Sequence, residues 1–423
     1  MDNPNVKNTL PLSAMQSDYA ANLPGRHQRG RVWEVIFQIS TVIGIIALVM
    51  LLLNITNSAF GYVALTNQVE PESLAINGIP LESLHETDLT FILQENISAG
   101  LFRRFENDKP FAERDREDIL ALIYERVIAP EINQTWSLQA SLFNKSEIDA
   151  IVAEKYPDAD LVFKSWLSDD FIVTPQSSEP IRAGVRTAIL GSLWVIFITV
   201  VFAFPTGVGA AIYLEEYATD TPINRIIQTN INNLAGVPSI IYGILGLAIF
   251  VRILEPLTSG AIFGVGGEQA TANGRTILSA GLTLGLLILP LIIINAQEAI
   301  RAVPPSLRQA SYGLGATKWE TVWHHVLPSA LPGILTGAIF AISRAIGETA
   351  PLVVVGASTF ITFDPDGPFS KFTVLPIQIY QWTSRPQDEF RNIAAAAIIV
   401  LLVLLLLLNA SAVLLRNRFS RQL

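Results

Sequence analysis

Cysteine is absent from this 423-residue chain, which excludes disulfide staples, thiol catalysis and cysteine-ligated zinc. Histidine is nearly absent as well. The four that occur, His27, His85, His324 and His325, are not spaced as on a metalloprotease helix or in a zinc site, so neither a metal nor a cofactor is expected. No G-x-x-x-x-G-K-[ST] string is present, so the chain has no nucleotide phosphate loop of its own. Charged residues make up only 15%, and the net charge of −9 argues against a nucleic-acid partner. Apolar residues fill the chain instead. At 50% hydrophobic content and a mean hydropathy of +0.42, it is too apolar for the two or three soluble domains its length would allow.

The apolar residues fall into six runs, about Val35–Leu53, Thr187–Leu214, Leu234–Val251, Thr276–Ala296, Leu331–Gly356 and Ile393–Leu415. A helix of about 20 residues crosses the roughly 30 Å of bilayer hydrocarbon, so the runs predict an all-α membrane protein with six spans in contact with lipid. The first lies behind residues 1–34 and is too long for an ordinary signal core, so it reads as a retained anchor despite the small pair Ser58–Ala59. An even number of spans places both termini, including the tail 416–423, on one side. With that side cytoplasmic, it holds Lys7, Arg26, Arg29, Arg31, Arg225, Arg301, Arg308, Lys318, Arg416, Arg418 and Arg421, eleven in all. The two short outside loops hold five: Arg252, Arg275, Lys371, Arg385 and Arg391. Eleven against five predicts cytoplasmic termini.

Between the first two runs lies a long insert, residues 54–182. From Thr56 to Ser178 it carries twenty-one acids and nine bases, a net of −12, so the remainder is about +3. At roughly 120 residues it is large enough for a small core of its own. Glu113–Val127 has the spacing of a helix, with Ile119, Leu120, Leu122, Ile123 and Val127 on or near one stripe. Pro130, Pro157 and Pro175 punctuate the segment. An N-in first span puts it outside the cytoplasm, and long loops cross largely regardless of charge. The sequons at Asn96, Asn133 and Asn144 carry little weight outside a eukaryotic secretory pathway.

Residues 297–328 read QEAIRAVPPSLRQASYGLGATKWETVWHHVLP. Pro304–Pro305 end one helix and start another. Gly313 and Gly315 permit a bend, and Thr317 with Glu320 has the spacing of a capping box that starts a second helix. Pro328 is expected to close that helix before the fifth span. The spacing predicts a helix–bend–helix suited to docking in a groove of a soluble partner, or to lying at the bilayer interface. Trp319 and Trp323, four apart, either anchor it there, the favoured reading, or fill a partner's groove. Glu215 and Glu216 read as a solvated helix end, and Pro205, Pro238 and Pro290 as kinks. Gly264–Gly267 is a glycine cluster on an outside loop.

The fifth run contains ISRAIGETAPLVVVGA, where Arg344 and Glu348 are the only ionisable side chains well inside any run. A charge at mid-span costs at least about 2.5–3.5 kcal/mol, so it faces a protein interior or a polar pathway. Spacing of four places the two within pairing distance, and Gly347 and Ala350 keep the neighbouring surface small. Two roles stay open: contact with a passing anion, which the planar guanidinium suits, or an ion pair that locks helix packing.

The 297–328 stretch resembles the "EAA" loop of ABC importer permeases at Gln309, Ala310, Ser311, Gly315, Leu327 and Pro328, with Gln309 in place of the acidic residue and Ser311 in place of the second alanine. Together with GAAIYLEEYA at Gly209–Ala218, NLAGVPSIIYGILGLAIF at Asn233–Phe250 and the Arg344–Pro351 string RAIGETAP, it resembles the A-type permease subunits of bacterial phosphate-specific ABC importers. The resemblance covers about Arg182–Phe419. It implies an ABC permease core at 183–415, a coupling loop at 297–328, and a plasma-membrane location. It also implies three partners: a homologous permease chain, an ATPase dimer at the cytoplasmic face, and a periplasmic phosphate-binding protein. ATP hydrolysis then belongs to a separate subunit. The substrate pathway falls on Arg344, Glu348 and Thr349. The ATPase contact falls on Gln309, Ala310, Ser311, Gly313, Gly315, Ala316, Trp319, Leu327 and Pro328. The compact members of that family lack the acidic insert. Rival readings are a permease for another oxyanion such as sulfate or molybdate, and a membrane-anchored sensor or docking protein acting through the insert.

Overall fold

The computed structural model describes residues 23–76, 78–264, 273–357, 360–361 and 363–420. Most of the N-terminal tail and most of the Gly264–Gly267 cluster lie outside them. The chain divides into two units at Ile55–Thr56. The first is dominated by helix α1, Leu23–Ala59, which begins well before the apolar run, with Pro24 confined to its first turn and Gly30 carried in its interior. Its side chains from Val32 to Leu53 are exposed within the chain, as a helix surrounded by lipid requires.

The second unit opens with the insert, which is not wholly helical. Strands β1 (Phe60–Thr66), β2 (Glu131–Thr135) and β3 (Asp160–Ser165) form an antiparallel sheet in the order β2-β1-β3. Helices α2 (Glu86–Asn96), α3 (Ala99–Asp108) and α4 (Arg116–Ile123) lie between β1 and β2. They enclose a cluster that includes Leu89, Leu93, Phe111, Ile119 and Ile123. The stripe expected over Glu113–Val127 is present, as α4 followed by a π turn through Ile128. Helices α5 (Leu138–Phe143) and α6 (Lys145–Lys155) join β2 to β3, and α7 (Asp169–Val173) follows β3. The acidic insert has a core of its own, yet Val63, Trp166 and Phe171 belong to a cluster with Trp382, Phe390 and Ile393 of the later helices. It is therefore built onto the bundle rather than tethered to it.

The bundle consists of α8 (Arg186–Ile212), α9 (Pro222–Leu234), α10 (Ser239–Gly246), the short α11 (Glu255–Thr258), α12 (Ile277–Arg301), α13 (Pro305–Gly313), α14 (Lys318–Thr321), α15 (Leu327–Ile346), α16 (Ala350–Val355), α17 (Leu375–Thr383) and α18 (Asp388–Ser420). Among the described residues, five helices are long and apolar enough to cross a membrane, and a sixth crossing exists if the bent pair Pro222–Leu234 and Ser239–Ile253 is counted as one span. The centre is α12, packed between α8 and α15. Small residues let α8 and α12 approach closely, because a Cβ on Gly207, Gly281 or Gly285 would fall 2.5–2.7 Å from side-chain atoms of Ile292, Ile198 or Phe202. Thr199 adds a hydroxyl bond of 3.0 Å to the Gly281 carbonyl.

Three expectations change. The third run does not begin a helix at Leu234: the chain turns by 110° between α9 and α10, since Pro238 has no amide hydrogen and disfavours helix in the residue before it. The fifth run is not one helix, because α15 ends at Ile346 and α16 starts at Ala350. Pro328 does not end a helix. A π turn at Val322–Val326 carries α14 into α15, so Lys318–Ile346 runs on as one helix with Pro328 inside it, just past the π turn that relieves the missing amide.

Candidate functional site

Arg344 sits in the last turn of α15 and Glu348 in the break that follows. Helix geometry still sets their spacing, because the Gly347 and Glu348 amides bond the Arg344 and Ala345 carbonyls at 3.2 Å each. Arg344 Nε donates to Glu348 Oε1 at 3.2 Å. The pair is unequally covered: the Arg344 side chain is 45% exposed and that of Glu348 17%. Within this chain, then, the guanidinium is open on one side, with donors to spare for an anion, while Glu348 is largely enclosed. Thr349 is half-buried beside them, at the head of α16.

Glycine sets this arrangement. A Cβ on Gly243 would stand 2.7 Å from Pro351 Cα, and one on Gly246 2.1 Å from Thr283 Oγ1. Without either, α10 lies directly on α16 and α12. The Tyr242 hydroxyl donates to the Leu234 carbonyl at 2.8 Å, which also accepts from the Val237 amide at 3.1 Å, so the bend is braced by two donors. Ser343, next to Arg344, donates to Asn409 Oδ1 at 2.6 Å and ties α15 to α18.

At one end of the bundle, residues 302–327 form the helix–bend–helix. Gly315 has φ +86°, a left-handed conformation that disfavours other residues, so it is the elbow. Gly313 ends α13 with no such requirement. The capping box is complete: the Thr317 amide donates to Glu320 Oε2 at 2.8 Å and the Glu320 amide to Thr317 Oγ1 at 3.3 Å. Gln309 and Ala310 are exposed. Ser311 is not available to a partner, because it is buried with its hydroxyl 2.8 Å from that of Thr321. It holds α13 to α14. Ala316 is partly covered and donates its amide to the Ser311 carbonyl. Trp319 and Trp323 stack with centroids 5.4 Å apart and project outward. Leu327 and Pro328 begin α15 and are partly buried.

Two features escape a sequence reading. Leu314, at the tip of the elbow, is 91% exposed, beside exposed Tyr312. Glu216 is not a solvated helix end: its side chain is 6% exposed and accepts from Arg308 Nη2 at 2.8 Å and Nε at 3.1 Å. Arg308 also donates to the Ile300 and Val303 carbonyls. Glu215 accepts from Arg301 Nη2 at 2.6 Å. Both acids follow α8 in a π turn, Tyr213–Tyr217, so the end of α8 is clamped to α12 and α13. The available signal is the Glu-Glu pair matched in number by Arg301 and Arg308.

Residues 203–421 match the protein family described as "Binding-protein-dependent transport system inner membrane component". The chain belongs to this family. As an inner-membrane transport component it is a multi-pass permease subunit and not itself an enzyme. Residues 203–421 include the Arg344–Glu348 pair and the whole elbow, but neither α1 nor the insert. The chain is 35% identical over 215 residues to the "Probable ABC transporter permease protein YqgI" of Bacillus subtilis (strain 168), covering 50% of this chain and 67% of that one. It is 36% identical over 211 residues to the "Phosphate transport system permease protein PstA" of Mycobacterium leprae (strain TN), covering 49% and 62%. A third relative, the "Phosphate transport system permease protein PstC" of Pasteurella multocida (strain Pm70), is 33% identical over 226 residues, covering 47% and 67%. The chain thus spans about two thirds of the length of these relatives.

Proposed function

We propose that this permease subunit forms half of the anion pathway of an ATP-driven importer of inorganic phosphate. The observation that carries the reading is the Arg344–Glu348 pair at the break between α15 and α16, its guanidinium uncovered within this chain. A desolvated oxyanion needs compensating charge, and a forked donor supplies it. Glu348 keeps the guanidinium oriented and limits its grip, so that the anion binds and leaves. The similarity to phosphate permeases over the same segment supports phosphate over other oxyanions.

The partners are a homologous permease chain that covers the open side of Arg344, an ATPase dimer, and a phosphate-binding protein outside. Both termini and the elbow face the cytoplasm, and the insert faces outward. Leu314, Trp319 and Trp323 form the apolar tip that enters a groove on the ATPase. Closure of the ATPases moves α13 and α14, and the Glu216–Arg308 clamp passes the movement to α8, shifting a two-state bundle.

Charge-neutral Arg344→Gln tests the reading in proteoliposomes that contain the complete transporter. ATP-driven phosphate uptake should be lost while membrane insertion and assembly persist. Failure of the complex to assemble would assign Arg344 to packing instead. Uptake competed more strongly by sulfate or molybdate than by phosphate would change the substrate.

A further inference from the structure

Helix α9 starts cleanly: Thr221 Oγ1 accepts from the Asn224 amide at 3.3 Å and Pro222 fills the first turn. Its residues then divide into three faces. Gln228 and Ile231 look toward the bundle, where Gln228 and Gln297 exchange amide hydrogen bonds of 3.2 and 2.8 Å and Ile231 packs with Ile293 and Ala296. Arg225, Thr229 and Asn232 share a polar face, with Arg225 held by Asp220. The third face holds Ile223, Ile226, Ile227 and Leu234 at helical spacing, with exposed Asn230 among them, its side-chain amide donating to the Ile226 carbonyl at 2.8 Å. It is uncovered, with Ile223 69% and Ile226 62% exposed.

Depth follows from Gln297. With Asn295 and Glu298 it opens the polar end of α12 after the apolar run, so its partner Gln228 sits at the edge of the hydrocarbon. Direction follows from the 110° turn into Ser239–Ile253: if that segment runs near the membrane normal, α9 lies close to the membrane plane. Length adds a constraint, because Ser239–Ile253 spans about 22 Å at 1.5 Å per residue, short of the roughly 30 Å hydrocarbon layer. The shortfall of about 8 Å must be covered at one end. Ile240, Ile241 and Ile244, just past the turn on α10, are exposed as well, a surface that lipid covers on a spanning helix.

We infer that α9 is an in-plane membrane helix whose Ile223, Ile226, Ile227 and Leu234 rest in the acyl boundary of the leaflet on the side of the elbow. Its ligand is lipid acyl chain, not anionic headgroup, because α9 carries a single cation and that cation is paired. Through Gln228 and Gln297 the helix fixes the depth of the α12 end from which the elbow hangs.

The absence of cysteine makes the test direct. Ile223→Cys, Ile226→Cys, Thr229→Cys and Asn232→Cys, all at exposed positions, take a spin label one at a time in the complete transporter in lipid nanodiscs. Labels at 223 and 226 should collide more with oxygen than with a nickel chelate, and those at 229 and 232 the reverse. Labels at 223 and 226 shielded from both reagents would mean that a protein chain covers the stripe. Labels there open to nickel would mean that water does. Either result overturns the proposal.

Discussion

Arg308 and Glu216, 92 residues apart in sequence, form a two-pronged ion pair of 2.8 and 3.1 Å that is nearly closed to solvent. It fastens the first helix of the elbow to the end of a spanning helix. Breaking one side of such a pair leaves a charge without its partner in a poorly hydrated place, at a cost of about 3–5 kcal/mol when fully buried and less here. Glu216→Ala is therefore expected to lower the melting temperature of the complex and to reduce phosphate taken up per ATP hydrolysed. The exchange Glu216→Arg with Arg308→Glu should recover part of both, measured as the ratio of uptake to hydrolysis in proteoliposomes. Equal ratios in wild type and Glu216→Ala would remove the clamp from the coupling path.

The elbow rests on one glycine, not two. Gly315→Ala forces a Cβ into a left-handed backbone and should cost about 1–2 kcal/mol, seen as weaker co-purification of the ATPase. Gly313→Ala has ordinary backbone angles and nothing within 4 Å of the new methyl, so it should be neutral or slightly stabilising. Equal effects at the two positions would show that the bend is not what the partner reads.

Gly243→Ala places a methyl against the Pro351 backbone at 2.7 Å. Backbone cannot yield as a flexible side chain can, so α10 must move off α16 at a cost of about 1–3 kcal/mol. Thermal unfolding should fall and uptake with it. Gly209→Ala, with open space at its Cβ, is the matched control and should change neither.

Burial holds the Lys164 ammonium below its ordinary value of 10.5, an effect that the attraction of Asp170 only partly offsets. The amine lies over the Trp166 ring at 5.0 Å. Because the folded value is depressed, the unfolded chain binds this proton more readily between the two values. Stability from this residue therefore rises with pH from the lowered value to 10.5. Lys164→Met should raise the unfolding temperature at about pH 7 and lose that advantage toward about pH 10. An advantage that stays constant with pH would place the amine in water.

The helix–bend–helix is legible in the sequence because its determinants are local: a proline pair, a glycine and a capping box within some twenty residues of chain. The pairing of Arg344 with Glu348 is legible for the same reason. The break at Gly347–Thr349 is less so, because Gly347 and Pro351 mark it but glycine and proline are also common inside spanning helices. The insert's sheet escapes notice because its strands are short and pair with partners about seventy to one hundred residues away.

What the sequence determined alone is whatever follows from hydrophobicity and short-range geometry: that the chain spans a membrane, where most spans lie, that a glycine bends the elbow, and which charges stand inside the fifth run. Tertiary structure alone decided that Gly315 rather than Gly313 takes the bend, that Glu216 meets Arg308, and that Arg344 is left uncovered on one side. Those outcomes depend on which faces distant helices present to one another. Close approach at Gly243, Gly246 and Gly285 settles that, and a linear pattern holds no record of it.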